Sequence, residues 1–456
     1  MKEKNKNREV DLGKDGIGGL MFKLAMPSIV AQIINLLYNL VDRMYIGHIK
    51  EVGDAALTGV GVTMPLIMAI TAFACLVSMG GAPRASIAMG KGDNEEAQKI
   101  LGNCSAMLVV IAVIITAVIE FFGRDILMLF GASENTIGYA WSYMQIYALG
   151  TIFVQLALGL NAFINAQGFA KIGMLTVVIG AVCNIVLDPI LIFGFKLGVK
   201  GAAIATVISQ AVSCVWIVFF LTGKKTILRL NFKNFKLQRK IVIPCISLGL
   251  SPFIMMFTES VLFICFNTSL LKYGGDIAVG SMAILSSIMQ FAMLPLQGMT
   301  QGAQPIVSYN FGARNIDRVK KAFKLLLTMC FAYATLLWAI AVFVPKVFVM
   351  IFTNQAELTE YACWAMRIYM AGALMLGIQV ACQQTFIALG NAKTSVFLAL
   401  LRKVFLLIPL IFILPLILKH NQVLGVLLAE PISDFIAAIT TGILFILEYR
   451  SLERNI

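Results

Sequence analysis

Long apolar stretches separated by short polar breaks run along the chain from Leu20 to near Leu447. Most are roughly 20 residues long, which is the length an α-helix needs to cross the hydrocarbon core of a bilayer. A membrane β-barrel would instead show shorter segments of alternating apolar and polar positions. The pattern predicts an all-α polytopic membrane protein with twelve spans, at residues 20–46, 57–78, 97–121, 136–163, 170–193, 200–222, 241–270, 279–301, 319–344, 358–386, 395–418 and 423–447.

The composition excludes a soluble fold. Hydrophobic residues make up 59% of the chain and charged residues 13%, whereas an average globular domain is about 25% charged. The nine cysteines are scattered through apolar segments without CxxC spacing, and the two histidines, His48 and His420, are far apart. The cysteines therefore indicate small buried hydrophobes, and we expect no disulfide framework and no histidine-based metal or catalytic centre.

The distribution of basic residues predicts the orientation. When alternate loops are assigned to opposite sides, 27 of the 36 Lys and Arg residues fall on the side that holds both termini, and 9 fall on the other. The positive-inside rule then predicts cytoplasmic termini in a multi-pass protein of the cytoplasmic membrane. The net charge of +13 therefore follows the loops and does not indicate nucleic-acid binding.

The two halves of the chain repeat. A shift of 222 residues superposes small and turn-forming residues, including the pairs Gly80/Gly302, Pro83/Pro305, Ser86/Ser308, Gly90/Gly312, Tyr147/Tyr369 and Gly168/Gly390. Six spans per half is an even number, so the halves should enter the membrane in the same direction and be related by a pseudo-two-fold axis along its normal. The predicted domains are an N-terminal lobe at 1–222, a basic cytoplasmic linker at 223–240 and a C-terminal lobe at 241–456.

The linker GKKTILRLNFKNFKLQRK interleaves basic and apolar residues. It is typical either of an amphipathic segment lying on anionic membrane lipid or of a solvated loop that obeys the positive-inside rule.

At the start of spans three and nine, Asp93 with Glu96 and the repeat-related Asn315 predict helix N-caps.

Asn184 and Asp188 lie four residues apart in an apolar part of the fifth span, and Pro189 follows at once. Residues four apart share one face of a helix, and an aspartate at the bilayer centre costs about 2.5–3.5 kcal/mol on insertion scales. Such a carboxylate must face a cavity or a partner, so Asp188 either links helices structurally or belongs to a cation site. Pro189 also leaves the carbonyl one turn earlier without its helical hydrogen bond, which provides a further oxygen.

The repeat favours the cation site, because this acidic cluster belongs to the N-terminal half alone and has no counterpart at the matching positions of the second half. The shift of 222 matches Asn184 and Asp188 to Leu406 and Leu410, and Asp42 matches Asn267 when Pro27 is aligned with Pro252. The residues expected to converge from spans one, four, five and six are Asp42, Tyr143, Asn184, Asp188 and Thr206. These oxygen groups suit Na⁺, held at Asp42, Asn184 and Asp188, or a proton shared between carboxylates. An interfacial position for Asp42, and ordinary interhelical hydrogen bonds for Tyr143 and Thr206, remain alternatives.

The second half carries a different polar set. Glu259 in span seven has no obvious partner in the sequence and would suit a cationic substrate. Flexible thioethers suit a promiscuous pocket, so the candidate substrate-binding residues are Glu259, Gln290, Met289 and Met293. In span twelve, the carboxylates of Glu430 and Asp434 lie one helical turn apart, and a structural salt bridge to Arg402 or Lys403 of span eleven would neutralise one of them.

Taken together, five segments resemble the multidrug and toxic compound extrusion (MATE) transporters, and within them the DinF/MepA-like branch. They are Pro27 with YNLVDRMYIGH, GAPRASIAMGKGD, CNIVLDPILIFGF, GVKGAAIATVIS and LPLQGMTQGAQPIVSYNFGARN. The resemblance implies a V-shaped pair of six-helix lobes with a cation site in the N-lobe, falling here on Asp42, Tyr143, Asn184, Asp188 and Thr206. Glu259 resembles the acid in span seven of the NorM-like branch, whereas that branch's acid in span ten has no clear counterpart.

The resemblance implies a secondary transporter that exports amphiphilic, cationic organic compounds in exchange for H⁺ or Na⁺. We expect no enzyme activity, no cofactor beyond the coupling ion, small-molecule and lipid partners, and a monomer. The alternative is a lipid-linked precursor flippase of the same two-lobe architecture. That cargo would require arginines lining the cavity, whereas the charges predicted inside the spans are mainly carboxylates.

Overall fold

Helices account for nearly all of the residues described by the computed structural model, which are 10–49, 52–353 and 355–454. One helix, Arg239–Gly312, has 74 residues and would be about 110 Å long if straight, against a hydrocarbon core of about 30 Å. Gly275, with φ 65° and ψ −162°, breaks it into two spans.

Counted in this way, the described residues form twelve spans, and the predicted all-α multi-pass fold is confirmed. They are α1 (Ile17–Gly47), α2 (Gly53–Gly90), α3 (Asn94–Leu129), α4 (Ile137–Leu149 and Thr151–Ala166, bent by 59°), α5 (Ala170–Gly194), α6 (Val199–Thr222), α7 (239–274), α8 (276–312), α9 (Ile316–Phe343), α10 (Ala356–Ala388), α11 (Ala392–Ile417) and α12 (Gln422–Arg454). The short helix Lys346–Val349 connects α9 to α10.

Side-chain caps begin α3 and α9, as the sequence predicted. The Asp93 carboxylate accepts a hydrogen bond from the Glu96 amide at 2.8 Å, and the Asn315 side chain accepts one from the Arg318 amide at 3.4 Å.

The second helix is longer than the sequence predicted. Residues 79–90 were expected to lie outside span two but continue α2 as a helix. Their small side chains are buried against both lobes, with Gly80 and Gly90 on the opposite lobe and Gly81 on Cys104 and Phe163 of the same lobe, and this packing accommodates the helix despite Pro83.

The repeat appears in the structure as paired contacts. Ser86 donates a hydrogen bond to the carbonyl of Ala166 at 3.3 Å, and Ser308 donates one to the carbonyl of Ala388 at 2.8 Å. Donor and acceptor are each displaced by the same 222 residues. The turns after α4 and α10 are also related, since Gly168 and Gly390 both have positive φ values, 90° and 79°. The two lobes are therefore copies of one six-helix unit.

We define the basic face as the side of the molecule that carries the connections 91–93, 167–169, 223–238, 313–315 and 389–391. Close contacts between the lobes lie in the half of the molecule nearer this face: Gly80 packs on the carbonyl of Cys245, and Gly249 packs on the carbonyl of Leu76. Phe73 and Phe253 add a ring contact with centroids 5.1 Å apart. The lobes of the V thus meet towards the basic face.

The linker packs against the N-terminal lobe, and neither interpretation of the linker sequence included this contact. The side-chain oxygen of Gln167 accepts hydrogen bonds from the hydroxyl of Thr226 and from the amides of Ile227 and Leu228, at 2.7–2.9 Å. Leu228 is fully buried, whereas Phe232 is 77% exposed. Contact of the exposed Phe232 side chain with membrane lipid stays a prediction.

Candidate functional site

The candidate cation site begins where α5 loses its regular α-helical hydrogen bonding. Asn184 and Asp188 lie one turn apart and are 1% and 0% exposed. The Asn184 amide donates a hydrogen bond of 3.2 Å to the Asp188 carboxylate. Pro189, which has no amide proton, is followed by a π-helical turn at Ile190–Gly194. The sequence therefore places a buried carboxylate beside an interrupted hydrogen-bond ladder.

Asp42 of α1 faces the same point. It is 8% exposed, and its carboxyl group lies within hydrogen-bonding reach of the carboxyl group of Asp188. Arg43 is exposed, and among the described residues no ion pair joins it to Asp42. The two carboxyl groups therefore face each other without a basic side chain bound between them.

α4 and α6 complete the cluster. The Tyr143 side chain lies beside Thr206, and Thr206 donates to the carbonyl of Ala202 at 3.0 Å. The Asn184 amide also reaches the Thr206 hydroxyl, at 3.5 Å. The structure thus brings together all five residues singled out from the sequence, from the four spans expected.

Two tyrosines of the cluster were not identified from the sequence. Tyr38 lies one turn before Asp42 on α1 and lines the cavity beside Asn184, and its i−4 spacing was a signal that could have identified it. Tyr147 stacks on Tyr143, with ring centroids 6.1 Å apart and planes 17° from parallel. The aromatic rings form an apolar wall close to the carboxyl pair.

The cluster has spare acceptor capacity. One oxygen each of Asp42, Asn184 and Asp188 is buried and has no hydrogen-bond partner among the described residues. Two carboxyl groups this close repel each other when both are ionised, and a proton or a monovalent cation between them offsets that repulsion. The arrangement is therefore chemically suited to binding and releasing a single positive charge.

A second charged cluster lies inside the C-terminal lobe. Arg402 donates hydrogen bonds to Asp434 at 2.7 Å and to Glu430 at 3.1 Å, with all three side chains buried. Of the two basic residues considered from the sequence, Arg402 forms this bridge. It bridges both carboxylates, and its single positive charge offsets one of their two negative charges.

The expectation that Glu259 lacks a partner is wrong. Lys403 donates a 2.6 Å hydrogen bond to its carboxylate. The sequence concealed this pairing because Arg402 and Lys403 are adjacent, and neighbours on an ideal helix point about 100° apart. The π-helical segment Leu401–Leu407 widens the turn, so that both basic side chains are buried and meet carboxylates. Such bulges recur at functional sites.

The other candidate substrate residues lie on α8. Gln290 is exposed, while Met289 and Met293 are partly buried against the C-terminal core. Among the described residues, no hydrogen bond joins Gln290 to Glu259. The Glu259 side chain itself remains 57% exposed, and a carboxylate does not face lipid at low cost, so it borders the space between the lobes.

The chain is similar to known proteins both in sequence and in fold. The sequence is 25% identical over 418 residues to the multidrug export protein MepA of Staphylococcus haemolyticus, covering 91% of each chain. A crystal structure of a MATE protein in the bent conformation superposes with a TM-score of 0.90 at 21% identity, covering 97% of each chain. An outward-facing multidrug resistance MATE transporter superposes with a TM-score of 0.88 at 23% identity, covering 98% of this chain and all of that one.

These two structural likenesses concern the fold alone, because the sequence identities are low. The sequence model of the MatE family provides the assignment, since it matches twice, at residues 27–190 and 252–413. The two matches cover most of both lobes and reproduce the internal repeat. The chain therefore belongs to the MatE family.

Proposed function

We propose that this protein is a cation-coupled antiporter that exports amphiphilic, cationic organic compounds across the cytoplasmic membrane by alternating access. The observation that carries the proposal is the buried Asp42–Asp188 carboxyl pair in the N-terminal lobe. Its position in one lobe only gives the duplicated scaffold an ion-binding element that packing does not require. Relatives named as multidrug export proteins support the class of cargo.

The coupling ion is H⁺ or Na⁺, and the carboxyl pair with Asn184 is its binding site. Tyr143 and Thr206 orient the pair. Ion binding from outside neutralises the carboxyl groups and changes the packing of α1 around Asp42, which disfavours the substrate-loaded outward state. By reciprocity, bound substrate weakens ion binding by the same factor. A charge crossing 100 mV supplies about 2.3 kcal/mol for this exchange.

The substrate region lies between the lobes, beside Glu259, Gln290, Met289 and Met293. A cationic compound competes with the Lys403 ammonium for the Glu259 carboxylate. The protein acts as a multi-pass monomer with both termini cytoplasmic, so that the basic face is the cytoplasmic side. It is a transporter rather than an enzyme, and it takes no cofactor beyond the coupling ion.

The flippase alternative needs free arginines to bind a pyrophosphate. Arg402 is already bound to two carboxylates, which leaves it little capacity for a polyanion. We therefore retain the antiporter as the proposal.

Ethidium transport in proteoliposomes tests the proposal. An imposed Na⁺ or pH gradient should drive export by the wild type, and both Asp188→Asn and Asp42→Asn should abolish the gradient-driven component. Asp54→Asn, at an exposed helix start, is the matched control and should retain it. Wild-type rates in Asp188→Asn vesicles would overturn the proposal, as would lipid-linked precursor scrambling in vesicles that show no dye export.

A further inference from the structure

One face of α5 carries small and polar residues from near the basic face up to the carboxyl pair. Gly173, Thr176, Gly180, Asn184 and Asp188 follow one another at intervals of three or four residues, so they share that face. The 15 positions from Gly173 to Asp188 cover about 22 Å. This face connects the proposed ion site to the basic face through the interior of the N-terminal lobe.

A partly open cavity lies along this face, bordered by α1, α4, α5 and α6. Its volume of about 50 Å³ has room for a few water molecules or a partly hydrated monovalent ion. The polar lining includes Asn161, Thr176, Asn184, Thr206, Ser209 and Ser213. No lysine or arginine is among the residues that line it.

Acceptor oxygens that the protein leaves unbound lie in the cavity wall and beside it. The side-chain oxygens of Asn161 and Asn184, which line the cavity, are buried without a hydrogen-bond partner among the described residues. The same holds for the Asn165 oxygen, which packs against Gly173, and for one oxygen of Asp188, next to Asn184. A buried acceptor left unsatisfied costs about 1–3 kcal/mol, and four in one row would be a substantial penalty. Water or a cation along the row removes it.

The hydroxyl groups on α6 also favour a positive charge in the cavity. Thr206 donates to the carbonyl of Ala202, Ser209 to that of Ala205 at 2.7 Å, and Ser213 to that of Thr176 at 3.2 Å. A hydroxyl group has one proton to donate and two lone pairs that accept. Because each proton is directed to a backbone carbonyl, the hydroxyl oxygens offer only lone pairs to the cavity, and a positive charge is favoured there.

We propose that this cavity is a second ion subsite, through which the coupling cation leaves Asp188 towards the basic face inside the N-terminal lobe. The proposal rests on the cation coupling proposed above and adds a route separate from the space between the lobes. The Asn161 side chain donates to the carbonyl of Gly173 at 3.3 Å and ties α4 to α5. That bond must open for the ion to pass, so the subsite is not continuously connected to the basic face.

Silver ion is a suitable probe because it is a small monovalent cation that reacts with thiols. The test uses the full-length protein with its nine cysteines replaced, carrying Ser209→Cys or the matched control Val215→Cys, which is 66% exposed on the outside of the same helix. In inside-out vesicles, Ag⁺ reaches the basic face. It should abolish dye transport by Ser209→Cys and leave the Val215→Cys protein active.

A second substitution connects this result to the route. Asn161→Leu, added to Ser209→Cys, fills the cavity and removes an acceptor, so it should slow inhibition by Ag⁺. Asn161→Ala removes the bond to the Gly173 carbonyl and leaves more space, so it should accelerate inhibition, and it tests the route if the leucine variant fails to fold. Equal insensitivity of Ser209→Cys and Val215→Cys to Ag⁺ would overturn the subsite, and unchanged inhibition in both Asn161 variants would overturn the route. Either result leaves the Asp188→Asn test of coupling unaffected, so the two proposals fail separately.

Discussion

Gly312 lies directly against the main-chain carbonyl of Ile87, where a Cβ at position 312 would stand 2.0 Å from the oxygen. The repeat-related contact, Gly90 on the carbonyl of Tyr309, has the same 2.0 Å spacing. No side chain fits at that distance. Glycine at both positions therefore lets α2 and α8 come together and close the basic face.

Gly312→Ala should separate the lobes at this contact. The added methyl group overlaps backbone that cannot rotate away, and overpacking of this kind costs about 1–3 kcal/mol. Energy transfer between dyes placed on the two lobes at the basic face should report a greater separation. Gly61→Ala, at a helical position with open space around it, should leave the separation unchanged. The same separation in both variants would contradict this explanation of the contact.

Arg402→Leu should strongly destabilise the C-terminal lobe. It leaves the buried carboxylates of Glu430 and Asp434 without their counter-charge, and breaking a buried pair from one side costs about 3–5 kcal/mol. The thermal unfolding midpoint of detergent-purified protein should fall. Combining Arg402→Leu with Glu430→Gln and Asp434→Asn should recover most of the loss, whereas Arg124→Leu, at an exposed site, should change little. A midpoint unmoved by Arg402→Leu would rule out a structural role for the bridge.

Lys403→Gln should strengthen the binding of monovalent cationic dyes. The substitution frees the Glu259 carboxylate from its 2.6 Å partner, and the carboxylate is 57% exposed; an ion pair screened by solvent in this way is worth up to about 1 kcal/mol. We therefore expect Kd to fall by up to about fivefold in fluorescence titrations with ethidium. The double variant Lys403→Gln/Glu259→Gln is the control and should lose the gain. Unchanged affinity in Lys403→Gln would indicate that the dye does not approach Glu259.

Arg318→Ala should loosen residues 10–15. The guanidinium group donates to the carbonyls of Leu12 at 3.1 Å and Asp15 at 2.7 Å, and hydrogen bonds to charged groups contribute about 1.5–3 kcal/mol each. Amide hydrogen exchange of this segment should accelerate. Lys324→Ala, an exposed position on the same helix, should leave the exchange as in the wild type. Equal exchange in both variants would mean that the buried side chains of Val10 and Leu12, with the hydrogen bond from Asn310 to the Leu12 carbonyl, hold the segment without Arg318.

Hydropathy and the 222-residue repeat determined the twelve spans and their duplication, because each span must satisfy its own backbone hydrogen bonds within the bilayer. The absence of acids at the matching positions of the second half also identified Asp42 and Asp188 as exceptional. These signals are local or periodic, so the sequence carries them directly.

Only the tertiary structure decided the other polar contacts. The pairing of Lys403 with Glu259 depends on a π-helical turn, and the acceptor row depends on the packing of Asn161 and Ser209 around α5. Both arise from how helices far apart in sequence pack together, where a one-residue change in helical phase redirects every side chain. The sequence determined which groups had to be buried, and the packing of the helices determined their partners.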